Sequence, residues 1–196
     1  DELVFDGTAN TTHGNMAGIT KIETFKAETD ATVAFTLASE NAGDGETLTL
    51  TAAALTTTTN TATFDAQNDT DGNIVIIGGA GDDTITGSAS DNGDSITSGT
   101  GADTLKFLTG KLDSSDTING GDGTDILHIL TDDTIEASTF TNISNVETLT
   151  SASAQHLVAT LGSAASTAGV RTVTLADTGG NDSVTVDATY SGALTV

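Results

Sequence analysis

Between residues 74 and 130 one short polarity pattern recurs. A single apolar residue sits at the centre of a triplet, and a stretch rich in glycine and aspartate follows. The centres are Ile85, Ile96, Leu105, Ile118 and Leu127. Side chains alternate between the two faces of a strand, so each triplet buries its centre and turns its neighbours outward. Outside this block the alternation is longer and richer in threonine, as in "ETLTL" from Glu46 and "RTVTL" from Arg171. Threonine suits pleated, half-exposed strands, and glycine and aspartate suit turns. Helical spacing is sparse. The best helical candidate is Ser151 to Gly169, with apolar Leu157, Val158 and Leu161 and a glycine at its end. The pattern predicts an all-β chain of short strands.

The turns between the triplets are also regular. "GGAGDDTIT" (Gly78 to Thr86), "SGTGADTLK" (Ser98 to Lys106) and "GGDGTDILH" (Gly120 to His128) share the form G/S-G-x-G-x-D-x-U-x, where U is apolar. Two looser copies, "DNGDSIT" and "LDSSDTIN", place Asp94 and Asp116 in the role of Asp83, Asp103 and Asp125. A nine-residue unit divides into a turn of about six residues and a strand of about three. Two units then make one coil of a parallel solenoid, with turns on alternating sides. Asp83, Asp103 and Asp125 fall on one side, and Asp94 and Asp116 on the other. Equivalent carboxylates of successive coils lie one strand spacing apart, about 4.8 Å, where they repel unless neutralised. A hard cation with oxygen ligands meets that need. Ca²⁺ takes carboxylate and carbonyl oxygens, and this turn offers both. The alternative is a set of Asp-Gly hairpins in an antiparallel sheet.

The units resemble the RTX (hemolysin-type) nonapeptide repeat of calcium-binding parallel β-helices. That resemblance implies a right-handed parallel β-roll in which the sixth-position aspartate and the carbonyls of the glycine turn hold Ca²⁺. It implicates Asp83, Asp103 and Asp125 first. The carbonyls would be those of Gly78, Gly79, Ala80 and Gly81, of Ser98, Gly99, Thr100 and Gly101, and of Gly120, Gly121, Asp122 and Gly123. The units at Asp94 and Asp116 lack the glycine pair and carry insertions, so they depart from the family pattern. The motif itself spans Gly78 to His128.

A longer period crosses the whole chain. "GITKIETF" from Gly18 resembles "NISNVETL" from Asn142, with Glu23 matching Glu147 at an offset of 124 residues. The same offset lays "DELVF" on "DILHI" and Asp1 on Asp125, so Asp1 reads as a further sixth-position aspartate. "ETLTL" and "RTVTL" match at an offset near 125. Three segments follow. Residues 1–72 are a Thr-rich β segment that starts on the tail of an upstream repeat. Residues 73–130 are the calcium-binding roll. Residues 131–196 are a second Thr-rich β segment, related to 7–72 and ending short of the next Gly-Gly turn. Either Thr-rich segment continues the coil or forms a small sandwich.

Composition narrows the partners. With 28 Asp and Glu against 5 Lys and Arg, the formal net charge is −23. Nucleic acid and anionic lipid would be repelled, and cations attracted. A 36% hydrophobic fraction argues against disorder. There is no Cys, so disulfides and thiolate metal sites are excluded. No apolar run approaches the roughly 20 residues that span a membrane, and no basic-then-apolar leader opens the sequence. Catalytic motifs are missing too: no H-E-x-x-H, no G-x-S-x-G and no phosphate loop. His13, His128 and His156 stand far apart and read as strand or surface residues. Glu23 and Glu147, each in an "-ET-" pair, read as structural inward caps, with extra calcium ligands as the alternative.

The pattern around "NISNVETLT" is similar to secreted RTX surface-layer proteins. It implies a structural, extracellular protein of the bacterial cell surface, exported by type I secretion and self-associating into a lattice, sheath or filament. The alternatives are the stalk of a giant RTX adhesin and the calcium-binding appendage of a secreted enzyme.

Overall fold

A computed structural model describes residues 1–7, 11–14, 16–176 and 181–196. All strand pairing in it is parallel, which excludes the hairpin alternative. Seven strands stack in a first sheet: Glu2–Phe5, Thr24–Ala27, Thr47–Thr51, Asn73–Ile77, Ser95–Thr97, Thr117–Asn119 and Ile143–Ser144. Eight stack in a second: Thr11–His13, Val33–Thr36, Ala62–Asp65, Thr84–Thr86, Thr104–Phe107, Ile126–Ile129, Thr148–Ser151 and Thr172–Thr174. As far as Ile126–Ile129, each coil gives one strand to the first sheet and then one to the second. The result is a β-solenoid of about eight coils, and the Thr-rich segments belong to the same sheets as the central block.

The triplet centres form two apolar columns inside the coil. Phe25, Leu50, Ile76, Ile96, Ile118 and Ile143 stack in the first sheet. Phe35, Phe64, Ile85, Leu105, Leu127, Leu149 and Val173 stack in the second. All are at most 4% exposed, so the alternation fixes the register: a slip of one residue would turn a whole column to solvent. Where the column is aromatic, Phe35 and Phe64 stack with ring centroids 5.5 Å apart.

From Asp133 onward the coil gains a third face. Asp133–Ile135, Leu157–Leu161 and Ser183–Val186 form a third parallel sheet. Leu157–Leu161 falls inside the stretch read as helical. Leu157, Ala159 and Leu161 are buried while Val158 is 37% exposed, a period of two. Pairing with strands on both sides decides the outcome over local propensity. Helix is confined to Ser163–Ala168, closed by Gly169 at φ 112°. It packs on the 3₁₀ stretch Ala137–Asn142, beside the end of the first sheet.

The 124-residue period is visible in the backbone. Glu2 pairs with Thr24, and Ile126 with Thr148. Glu23 and Thr24 donate their N–H groups to the Asp1 carbonyl, as Glu147 and Thr148 do to that of Asp125. Lys21 and Asn145, also equivalent, both adopt positive φ, 62° and 53°. One match shifts: Thr24 pairs with Thr49 and Thr148 with Thr172, so "ETLTL" and "RTVTL" correspond at 123 residues rather than 125. A two-residue slip keeps the same face inward, so sequence alternation cannot detect it. The period also changes sheet. Glu2–Phe5 and Thr24–Ala27 lie in the first sheet, while Ile126–Ile129 and Thr148–Ser151 lie in the second.

Candidate metal centre

The glycine turns stack directly on one another. Thr100 N–H donates to the Gly79 carbonyl and Asp122 N–H to that of Gly99, each at 3.0 Å. Thr100 and Gly101 pair in parallel with Asp122 and Gly123. The carbonyl of one turn points at the α-carbon of the next. A Cβ at Gly78 would fall 2.0 Å from the Ser98 oxygen, and one at Gly101 2.4 Å from that of Gly81. Only glycine permits such approach. Of the carbonyls in the expected ligand set, Gly79 and Gly99 accept these N–H groups, Ala80 accepts the Thr100 hydroxyl at 3.3 Å, and Gly120 accepts the Ser98 hydroxyl at 2.6 Å. A carbonyl oxygen has two lone pairs, so one acceptance does not exhaust it.

The aspartates of this side form a continuous column. Asp83 Oδ1 accepts the Ala62 N–H at 2.6 Å, Asp103 Oδ1 that of Asp83 at 2.8 Å, and Asp125 Oδ1 that of Asp103 at 2.8 Å. All three residues are at most 1% exposed. Asp83 Oδ2 takes the Gly79 N–H at 2.7 Å. The Oδ2 atoms of Asp103 and Asp125 are buried and have no hydrogen-bond partner; the Ser98 hydroxyl that lies near Asp103 is committed to the Gly120 carbonyl. Among the described residues, no Lys or Arg forms an ion pair with any of the three. Burial, with repulsion from neighbouring carboxylates, pushes Asp83 and Asp125 up to about 6 and raises Asp103 as well. Asp82, the other half of the Asp pair, is exposed and accepts the Ala102 N–H.

The opposite side is built differently. Asp94 and Asp116 are buried, and burial raises both, Asp94 to about 6. Their oxygens are all served by the protein. Asp94 takes the N–H and hydroxyl of Ser88, and Asp116 takes the N–H groups of Asp94 and Asp113. Asp69, which the sequence did not single out, lies fully buried beside this column and accepts N–H groups from Gly72 and Ala42. These carboxylates close their turns as hydrogen-bond acceptors, replacing the missing glycine pairs.

The column suits a cation held mainly by backbone. Among the described residues, no three His, Cys, Asp or Glu side chains converge on one point. An ion here would therefore take one or two carboxylates, with turn carbonyls completing its shell. The buried, partnerless oxygens of Asp103 and Asp125 meet this requirement. Asp1 reproduces the backbone of Asp125, its nitrogen lying on Glu23 as that of Asp125 lies on Glu147, but its side chain is exposed. His128 faces out beside Lys106, with its Nε2 buried and without a hydrogen-bond partner. His156 lines a shallow surface hollow with Asp132 and Asp133. The side chain of His13 lies outside the described residues. Among those described, no helix is long and apolar enough to cross a membrane. Compared with family models, curated proteins and solved structures, the chain gives no match.

Proposed function

We propose that the chain is a structural, calcium-binding segment of a secreted bacterial cell-surface protein, which folds and associates when it meets extracellular Ca²⁺. The observation that carries this reading is the buried Asp83–Asp103–Asp125 column, with two carboxylate oxygens unpartnered and, among the described residues, no Lys or Arg ion-paired with it. The resemblance of its turns to the RTX repeat and the net charge of −23 point the same way.

Bound calcium would supply positive charge and oxygen coordination to the column. The chain's own part is to fix the carboxylates one coil apart, exclude water and aim turn carbonyls at the same strip. Extracellular modules typically bind calcium at about 10⁻⁴–10⁻³ M. At a free concentration ten times Kd, each site adds about 1.4 kcal/mol to stability. Without calcium the like charges destabilise the coil, which suits export as an unfolded chain.

The test is circular dichroism of the chain during calcium titration at pH 7, followed by electron microscopy of the same sample. Expected is a cooperative gain of β signal at submillimolar to millimolar calcium, reversed by chelator. A β signal already complete in excess chelator and indifferent to calcium would sink the proposal. Ordered arrays on the grid favour a lattice or filament, and separate extended particles favour an adhesin stalk.

A further inference from the structure

We infer that Glu147 is the last carboxylate of the aspartate column and that, with Asp125, it holds a further calcium ion between the Gly120–Asp125 turn and the Asn145–Glu147 turn. This rests on the calcium reading above and adds a residue outside the nonapeptide motif.

Glu147 occupies the place of the next aspartate. Its Oε2 accepts the Asp125 N–H at 2.8 Å, as Asp125 Oδ1 accepts that of Asp103 and Asp103 Oδ1 that of Asp83. It follows Asp125 by 22 residues, as Asp125 follows Asp103. The turn before it, Asn145 and Val146, has no glycine loop, and the additional methylene of Glu lets the carboxylate reach the same N–H. Sequence leaves Glu147 open between a cap and a ligand, because the motif ends at His128 and the residue type changes.

A second observation points to a ligand. Asp125 Oδ2 is buried and has no partner. A Cβ built on Gly120 would fall 2.6 Å from this oxygen and 1.9 Å from the Asn145 carbonyl oxygen. A carboxylate oxygen of one coil and a carbonyl oxygen of the next therefore flank the same point. Two groups from two coils thus present oxygens to one point, both of a type hard cations take, and Glu147 Oε2 joins them at the Asp125 N–H of the same turn.

The column stops at this position. One coil further on, Arg171 N–H donates to the Glu147 carbonyl, and the Arg171 guanidinium donates to the carbonyls of Ser166 and Val170. A fixed cation from the protein thus serves turn carbonyls in the coil beyond Glu147. At the 124-residue offset Asp1 and Glu23 repeat the backbone bonds of Asp125 and Glu147 with both side chains exposed.

Glu147→Gln separates a ligand from a hydrogen-bond cap, because the amide oxygen still accepts the Asp125 N–H but carries no charge. Native mass spectrometry of the intact chain at graded calcium counts the ions. The expected result is one fewer calcium in Glu147→Gln than in the parent, with a higher calcium midpoint in the circular dichroism titration. Equal counts in the two proteins would reduce Glu147 to a cap and overturn the inference while leaving the calcium reading intact. A parent chain that binds no calcium would overturn both. Glu147→Ala, which loses the acceptor as well, is expected to have a lower Tm than Glu147→Gln at saturating calcium.

Discussion

Gly99→Ala is expected to destabilise the chain by about 4 kcal/mol or more, enough to abolish folding of a marginal domain. Gly99 has φ 116°, outside even the left-handed helical region that Asn tolerates. Backbone strain alone there costs about 1–3 kcal/mol. The new Cβ would also lie 2.0 Å from the Gly79 carbonyl oxygen, a backbone atom locked into the stacked turn. Relief requires separating two coils, which breaks the Thr100 N–H bond to that carbonyl and displaces Asp103, four residues on. Gly45→Ala is the control. It too has positive φ, 73°, but nothing lies within 4 Å of its Cβ position, so strain of about 1–2 kcal/mol is all it incurs. Urea melts of both variants at saturating calcium give the comparison. Equal midpoints would mean that turn stacking is not what requires glycine at position 99.

What the sequence reveals and what it conceals divide along physical lines. Ile85, Leu105 and Leu127, with Ile96 and Ile118, were legible as core residues because one buried side chain per triplet leaves no competing choice of face. Asp83, Asp103 and Asp125 were legible because glycines at fixed spacing mark turns that stack. The 124-residue period was legible at Glu23 and Glu147, where side chain and turn recur together. Leu157–Leu161 was not. A run of five residues with three apolar positions fits either period, and neighbouring strands made the decision. The third sheet was likewise invisible, since no residue type marks the coil at which a new face begins. Nor does sequence distinguish Asp94 and Asp116 from the glycine-side aspartates by charge or burial. They differ from Asp103 and Asp125 in that Ser88, Asp94 and Asp113 donate to every oxygen, as Ala62 and Gly79 do for Asp83, which the fold alone reveals.

The buried carboxyls lead to an inverted pH dependence. In excess chelator, acidification from pH 7 to pH 5 is expected to stabilise the chain. Asp83, Asp94 and Asp125 rise from 3.8 to about 6 in the fold, chiefly through burial. Between about pH 4 and pH 6 the folded chain therefore binds more protons than the unfolded one, and stability falls as pH rises through that window. A shift of about two units corresponds to about 3 kcal/mol per carboxyl over the full window, of which about 1.3 kcal/mol is recovered by pH 5. The three share columns and so do not add fully. Asp30 works in the other direction: hydrogen bonds from Thr57 and Asn60 hold it well below the usual range, so its contribution fades only below pH 4. Stopping at pH 5 stays clear of that loss and of the sequence pI near 4.1. With millimolar calcium the sign should reverse, because cation binding needs the carboxylates ionised and protons compete for the same oxygens. The folded fraction by circular dichroism at pH 5 and pH 7, each with calcium and with chelator, tests both halves. If the chelated chain is less stable at pH 5 than at pH 7, the aspartates do not sit buried and unneutralised in the metal-free fold. If the two curves run parallel instead of crossing, calcium does not bind at these carboxyls.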